Sequence, residues 1–255
     1  MQVSSDLTIT NNNPILDIRT DEFMRKLFIE GKPAYEIGLC CDTCSFYFER
    51  LGGAYPLEIK PEEIGKHLFE GLTIANRTDV INAVSKLFPT GKYKVQLRNI
   101  QPKLIEPFSK ADYFTHDQLD LFDMDGFFGV PHYPKVKYYR GVDRMINNKH
   151  KLFEFFIPFA PQNWLTPERV AEYESQFQQS KKPTVISITI VDVRQPANWS
   201  GNPTITKHTC VAHYIIDGHH KLFASSKAQK EITLLSFVAT EKCMADESEI
   251  NETLK

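Results

Sequence analysis

The chain lacks the features that mark several classes of protein. No apolar run in its 255 residues approaches the ~18 to 20 residues that cross a bilayer, so no contact with a membrane is predicted. The first residues have neither a basic start nor an apolar stretch, so no secretory signal is predicted and a cytoplasmic location is expected. Hydrophobic residues make up 42% and charged residues 24%, which is typical of an ordinary globular protein.

A basic excess is missing as well. Lys and Arg together number 30 against 32 for Asp and Glu, which gives a formal net charge of -2. Proteins that hold nucleic acid mainly by neutralising phosphates need a strong basic excess. Residues 150–245 carry only ten basic against eight acidic residues, and no helix-turn-helix pattern follows them. A nucleic-acid partner is therefore not expected.

Cysteine is scarce and unevenly placed. Five cysteines are an odd number, and Cys40, Cys41 and Cys44 fall within five positions, which is not the spacing of a disulfide framework. In a reducing compartment such a cluster packs in a core, binds a metal or takes part in redox chemistry. A structural Zn²⁺ site needs four ligands, and the chain has no second CxxC to supply them. The sequence leaves these three interpretations open.

Hydrophobic periodicity and cap residues predict an α+β first half. A capping Thr20, early acids and a stop at Gly31 favour a helix over 20–30, and a second helix is predicted directly after the cysteines. Alternating polar and apolar residues over 92–100 favour a strand. The predicted helices are 20–30, 45–51, 60–69 and 79–88, and the predicted strands are 34–39 and 92–100.

The last hundred residues give the clearest pattern, which is strand, helix, strand, strand, helix, strand. Thr166 as a cap, Pro167 and Glu168 favour a helix start, and dense β-branching over 184–193 favours a buried strand. The predicted strands are 152–157, 184–193, 208–216 and 232–238, and the predicted helices are 166–179 and 219–230.

These patterns divide the chain into four segments. An α+β N-terminal region with the cysteine cluster covers 1–110, and a connecting segment rich in aromatics and proline covers 111–149. A C-terminal α+β domain covers 150–245, and an acidic tail covers 246–255. The C-terminal domain carries the motif with the most informative chemistry.

That motif is Asp217-Gly218-His219-His220-Lys221, between an apolar strand and an apolar helix. The start of a helix presents unpaired N–H groups and a positive dipole end, and both favour phosphate. Glycine lets the backbone approach an oxygen closely, while His and Lys add charge-assisted donors. Asp217 could accept from a ribose hydroxyl, hold Mg²⁺ or take a proton as a general base.

The motif, the small Ala224 in the following helix and a last strand about a dozen residues later resemble the ParB/sulfiredoxin-like superfamily. The resemblance covers about residues 151–240. This superfamily includes the nucleotide-binding domain of ParB proteins, sulfiredoxin and free serine kinases. The resemblance implies a mixed sheet with flanking helices and a nucleotide whose phosphates contact Gly218, His219, His220 and Lys221. It also implies that Asp217 is a catalytic or nucleotide-orienting acid, with His220 as a second catalytic candidate.

Two positions depart from the superfamily's pattern. Lys221 stands where Arg is usual, which keeps the charge but loses the bidentate fork. A histidine holds the place of the sulfiredoxin cysteine, so that chemistry is not expected. Superfamily members also carry functional Arg or Glu residues after their first strand. Here the nearest candidates are Glu154 and Glu168 as acids and Arg169 as a phosphate contact.

The leading hypothesis is a nucleotide-binding protein that uses ATP or another nucleoside triphosphate with Mg²⁺. It would hydrolyse the nucleotide or transfer a phosphoryl group to a small-molecule or protein acceptor. The first alternative is a non-catalytic metal-binding or protein-interaction module built on Cys40, Cys41 and Cys44, with Zn²⁺ as the metal. The second alternative is a ParB-like DNA-binding protein or nuclease. Asp-Gly turns are also common without any function, so a purely structural motif is a further interpretation.

Overall fold

A computed structural model of the protein describes residues 2–54, 62–122, 136–196 and 204–255. These residues form a nine-stranded mixed sheet flanked by helices and a separate four-stranded antiparallel sheet. The predicted α+β class with a mixed, helix-flanked sheet is confirmed. Its similarity to the ParB/sulfiredoxin-like superfamily stays a prediction.

Thirteen strands among the described residues form the two sheets. They are β1 (Gln2–Ile9), β2 (Leu16–Asp21), β3 (Met24–Ile29), β4 (Lys32–Leu39), β5 (Glu49–Arg50), β6 (Gly91–Ile100), β7 (Lys103–Ile105), β8 (Tyr138–Arg140), β9 (Arg144–Asn147), β10 (His150–Pro158), β11 (Thr184–Arg194), β12 (Lys207–Asp217) and β13 (Ile232–Ala239). The strand predictions over 34–39, 92–100 and the C-terminal region are therefore confirmed.

The helices are short. They are α1 (Glu62–Glu70), α2 (Arg77–Ser85), α3 (Asp117–Phe122), α4 (Pro167–Gln178), α5 (His219–Ala228) and α6 (Glu247–Thr253). The helices predicted over 60–69 and 79–88 correspond to α1 and α2, although residues 60 and 61 lie outside the described residues. Within the described ranges, no helix has the length and apolar character needed to cross a membrane.

The large sheet joins strands from distant parts of the chain. Its order is β1-β6-β13-β11-β12-β10-β8-β7, with β9 paired to β10. The pairs β10–β12 and β11–β13 are parallel, whereas β6 runs antiparallel to β13 and places Leu97 opposite Leu235. The predicted segments 1–110 and 150–245 thus contribute to one sheet. The four-segment division stays a prediction, and residues 123–135 of its connecting segment lie outside the described residues.

The helix predicted over 20–30 is wrong, because β2 and β3 form a hairpin there. Its turn contains Glu22 at φ 52, and β3 alternates between half-buried and buried residues. One of the buried positions is Arg25, which donates to Asp192 Oδ1 at 2.9 Å on β11. Because a buried arginine looks polar in the sequence, the period of two was hidden.

The helix predicted over 45–51 is also wrong. Phe46, Tyr47 and Phe48 are all buried, and one face of a helix cannot bury three consecutive residues. The chain is irregular here and runs into β5, which pairs with β4. The ring of Phe46 packs at a tilt against Phe155 on β10, with 5.0 Å between the ring centroids. The four-stranded sheet is thus packed on the large sheet through aromatic rings.

The C-terminal element order is confirmed as β10, α4, β11, β12, α5, β13. Strand β11 lies between β12 and β13 and is buried along its whole length, because its side chains pack in separate apolar clusters, with Ile188 in one and Val185 in another. Helices α4 and α5 pack against each other, with Tyr173, Leu222 and Ala224 in one apolar cluster. This packing brings the start of α5 close to the start of α4, which is where the motif lies.

Candidate functional site

A cleft of about 550 Å³ lies at the start of α5, and we call it the α5 cleft. The whole motif from Asp217 to Lys221 lines it. Helix α1 contributes Lys66, helix α4 contributes Arg169 and Tyr173, and the segment before α4 contributes Trp164. Three elements that are far apart in the chain therefore meet at the predicted motif.

Gly218 makes the turn from β12 into α5. It has φ 97, in the left-handed region that favours glycine. A Cβ atom here would lie 3.0 Å from Val185 Cγ2 and 3.3 Å from Lys221 Cδ. The position therefore excludes larger residues on both conformational and steric grounds. This turn places the first N–H groups of α5 at the cleft.

Lys221 is directed toward the protein rather than toward open solvent. It is only 5% exposed, and its Nζ donates to the Thr184 carbonyl at 2.9 Å and to Asp217 Oδ2 at 3.0 Å. The ammonium thus fixes the Asp217 carboxylate at the mouth of the cleft, with 28% of the Asp217 side chain exposed. The geometry gives Lys221 a positioning contact, and its contact with phosphate stays a prediction.

His219 is buried and fully engaged. Its Nε2 accepts from the Phe159 N–H at 3.0 Å, so the proton of the neutral ring lies on Nδ1. Burial lowers the pKa of His219 to about 4, although Asp217 and a bond to the Ile215 backbone act in the opposite direction. His219 is therefore neutral near pH 7 and attaches the start of α5 to the end of β10. This geometry favours a structural role over the predicted phosphate contact.

His220 is only partly buried and faces the start of α4. Its Nε2 accepts from the Thr166 N–H at 3.1 Å. Thr166 occupies the predicted N-cap position of α4, but its side chain makes no capping bond to the helix. Its hydroxyl lies 3.4 Å from the same nitrogen. Burial, and next the charge of Arg169, lower the pKa of His220. A neutral ring with its proton on Nδ1 can donate one hydrogen bond to a ligand.

Arg169 is the predicted residue best placed to meet an anion. Its side chain is 58% exposed and lines the cleft, with its guanidinium carbon 5.8 Å from the centre of the Tyr173 ring. Its nearest acid is Glu172, whose carboxylate oxygen lies 3.3 Å away. An ion pair this exposed is weak, so the guanidinium can exchange Glu172 for a phosphate.

Sequence reasoning missed Lys66 and Trp164. Trp164 is 46% exposed, and the guanidinium carbon of Arg50 lies 4.9 Å from the centre of its ring. Lys66 reaches the cleft because α1 packs next to β11, far away in sequence. An exposed tryptophan beside a helix start was a usable signal. The position of Lys66 depends on tertiary packing alone.

The two predicted acids do not join the cleft. Glu154 lies on β10, where it forms a short ion pair with Arg98 and its Oε1 is 3.1 Å from His213 Nε2. The other ring nitrogen of His213 meets Thr189 Oγ1 at 2.7 Å. Burial lowers the pKa of His213 well below its ordinary value, so this group is a buried structural network. Glu168 is exposed in the first turn of α4 and is not among the residues that line the cleft.

The cysteine cluster lies elsewhere, between β4 and β5. Cys40, Cys41 and Cys44 are each partly buried and are free thiols. Over the described part of the chain, no group of three or more His, Cys, Asp or Glu side chains is arranged to hold a metal ion. Zn²⁺ binding by this cluster therefore stays a prediction without a ligand set.

No family model, curated protein or solved structure matches the chain. The resemblance to the ParB/sulfiredoxin-like superfamily thus rests on the motif and on the element order around it.

Proposed function

We propose that the α5 cleft binds a nucleoside triphosphate with its phosphates at the start of α5. The observation that carries the proposal is the meeting of Gly218, Arg169 and Lys66 in one cleft of about 550 Å³. The backbone N–H groups after Gly218 supply neutral donors, and the two cations supply charge. A volume of this size suits a ligand as large as a nucleotide.

Trp164 supports the nucleotide as the ligand class. Its ring is partly exposed in the same cleft and lies against the guanidinium of Arg50. Aromatic side chains of this kind stack on nucleobases, whose planar faces match them in shape. The cleft therefore combines a surface for a base with a separate group of donors for phosphate.

Asp217 fits a role with Mg²⁺. Its Oδ2 already accepts from Lys221, which fixes the carboxylate and leaves Oδ1 for another partner. Mg²⁺ in nucleotide sites takes one or two carboxylates in addition to phosphate oxygens and water. When bound, the ion would neutralise charge on the phosphates. Asp217 would hold it, or would accept a proton from an attacking hydroxyl or water, in phosphoryl transfer or hydrolysis.

His220 completes the proposed site. Thr166 fixes its ring by donating to Nε2, so Nδ1–H can donate to a phosphate oxygen without a change of charge. The acceptor would be a small molecule or a protein that enters beside Asp217. Cys40, Cys41 and Cys44 do not line this cleft, and the nearly balanced charge of residues 150–245 gives no comparable support to the DNA-binding alternative.

Calorimetric titration with ATP, CTP and GTP, each with Mg²⁺, tests the proposal. We expect at least one of them to bind, and Arg169→Ala to weaken that binding about tenfold or more, because one charge-assisted contact with phosphate is lost. His220→Ala should weaken it as well.

Lys227→Ala is the matched control. Lys227 lies at the opposite end of α5, where it pairs with Glu174 at 2.8 Å, and its loss changes the net charge as the loss of Arg169 does. We expect less than about a twofold change, since exposed charges beyond a Debye length are screened. Absence of binding by all three nucleotides, or equal effects of the two variants, would overturn the proposal.

A further inference from the structure

A pair of thiols outside the α5 cleft has the CxxC spacing of a redox couple. Cys41 and Cys44 stand in a CxxC turn between β4 and β5, and both are partly exposed. Only Asp42 and Thr43, which form the turn, separate them. Cys41 Sγ also lies 3.0 Å from Thr43 Oγ1 within the turn. The turn thus carries both thiols in one short segment before any oxidation.

Three hydrogen bonds to backbone carbonyls attach the turn and the end of β4 to the end of β11. Arg194 donates through its guanidinium to the carbonyl of Cys41 and, at 3.1 Å, to that of Leu39. The N–H of Gln195 donates to the Asp42 carbonyl at 2.7 Å. Arg194 is itself fully buried and held by Asp192 at 2.7 Å. The attachment fixes the backbone of the turn that carries both thiols, so little chain entropy is lost when a bond forms between them.

The surroundings make the two sulfurs unequal. Burial acts to raise the pKa of Cys41, but hydrogen bonds from Cys44 and Thr43 and the charge of Arg194 outweigh it, so the pKa lies below its ordinary value. Burial, together with the bond to Cys41, raises the pKa of Cys44 to about 12. The thiolate is the nucleophile in disulfide exchange. Cys41 is therefore the attacking sulfur and Cys44 the sulfur that follows.

We propose that Cys41 and Cys44 form a dithiol that reduces low-molecular-weight disulfides by thiol–disulfide exchange. The Cys41 thiolate attacks one sulfur of the disulfide, which forms a mixed disulfide and releases one thiolate that takes up a proton. Cys44 then loses its proton and attacks Cys41 Sγ, which forms the Cys41–Cys44 disulfide and releases the second thiol. The protein loses two electrons and two protons, and the small disulfide gains them.

The other three cysteines contact residues outside the turn between β4 and β5. Cys40 Sγ meets Thr20 Oγ1 at 3.8 Å, and Cys243 Sγ accepts from the Val191 N–H at 3.2 Å. Cys210 is fully buried beside Tyr113, and burial raises its pKa to about 12. The exchange is thus expected at the CxxC turn alone. It is independent of nucleotide binding at the α5 cleft.

The test treats the reduced full chain with oxidised glutathione, blocks the remaining thiols by alkylation and maps the products by mass spectrometry. We expect the peptide with Cys41 and Cys44 to lose two hydrogen atoms and to escape alkylation at both sulfurs. Cys40→Ser should behave in the same way, whereas Cys41→Ser should form no such disulfide. Cys44→Ser should accumulate a glutathione adduct at Cys41, at least about tenfold faster than Cys41→Ser gains one at Cys44, because the thiolate fractions differ.

The proposal is overturned if Cys41 and Cys44 remain alkylated in the wild-type chain. It is also overturned if the bond instead involves Cys40, or if the adduct forms equally at both positions. The far-ultraviolet circular dichroism of each variant, compared with the wild type, separates loss of the reaction from loss of the fold. Nucleotide titration of the oxidised chain should give the same affinity as the reduced chain.

Discussion

Gly218 is the residue on which the geometry of the α5 cleft depends most directly. Its φ is positive, and a Cβ atom at this position would lie only 3.0 Å from the Val185 side chain. Gly218→Ala should therefore destabilise the fold by about 1 to 2 kcal/mol. Urea unfolding measures the effect. Gly65→Ala is the control, since a Cβ at that position in α1 meets no atom within 4 Å. It should raise stability by up to ~1 kcal/mol through helix propensity. Equal effects of the two substitutions on the free energy of unfolding would show that position 218 does not require glycine.

His219 predicts a pH dependence of stability. Burial lowers its pKa from the ordinary 6.5 to about 4, so the unfolded chain takes up a proton at a higher pH than the folded chain does. Stability from this residue is complete above about pH 6.5 and is lost as the pH falls toward 4. Between pH 7 and pH 5 the loss is about 2 kcal/mol.

Urea unfolding at both pH values checks this contribution. His219→Gln should be less stable at pH 7 and should show a shallower fall toward pH 5, because its unfolded chain has one fewer histidine to protonate. His116 is exposed, so His116→Gln should keep the wild-type slope. A wild-type slope in His219→Gln would contradict the assignment of a neutral, buried ring.

Among the elements, the β2–β3 hairpin is joined to the large sheet by ion pairs between three buried charged side chains. Arg25 and Arg194 both bond to Asp192, and all three are almost fully buried. Burial acts to raise the pKa of Asp192, but the charges of the two arginines hold it below its ordinary value. Arg25→Met should therefore destabilise the fold by about 3 kcal/mol, because Asp192 loses one of its two charged partners. The carbonyls of Ile37 and Lys242 also lose their donor.

Arg19→Met is the matched control for the hairpin. Arg19 lies on β2, its side chain is 57% exposed, and it pairs with Asp17 at 2.6 Å. Exposed pairs of this kind contribute less than ~1 kcal/mol. Urea midpoints that shift equally for Arg25→Met and Arg19→Met would show that the buried group does not fasten the hairpin.

The contact between Arg25 and Asp192 also shows why some elements could be predicted from the sequence and others could not. The C-terminal strands and helices have β-branched runs, Pro at a helix start and an Asp-Gly turn, and these local signals agree with the final packing. Over 20–30 the local signals favoured a helix, and the burial of Arg25 against Asp192, 167 positions away, favoured a strand. Tertiary contacts decided that segment, and no local pattern contains them.

The candidate site divides in a similar way. The motif at Asp217–Lys221 and the cation at Arg169 were predicted because they are local to β12, α5 and α4. The directions of their side chains were not predictable, since His219 and Lys221 turn inward to partners on β10 and β11. Lys66 comes from α1, and its place beside the motif follows from packing between distant segments.

At the scale of the whole molecule, the large sheet unites the two ends of the chain. β6 pairs with β13 in a register that joins residues more than 130 positions apart, and β1 extends the sheet beyond β6. Strand pairings of this kind depend on contacts between segments that are distant in the chain. Local sequence patterns therefore do not predict them. The sheet leaves α4 and α5 on one side, and their adjacent starts create the cleft.

The most direct test of the proposed nucleotide site is a crystal structure of the full chain with the nucleoside triphosphate and Mg²⁺. We expect phosphate density against the backbone from Gly218 to Lys221, with Arg169 turned toward it and the base on Trp164. Density at any other cavity, such as the one that Arg98 and Glu154 line, would contradict it. So would an empty α5 cleft at a nucleotide concentration well above that needed for binding in solution.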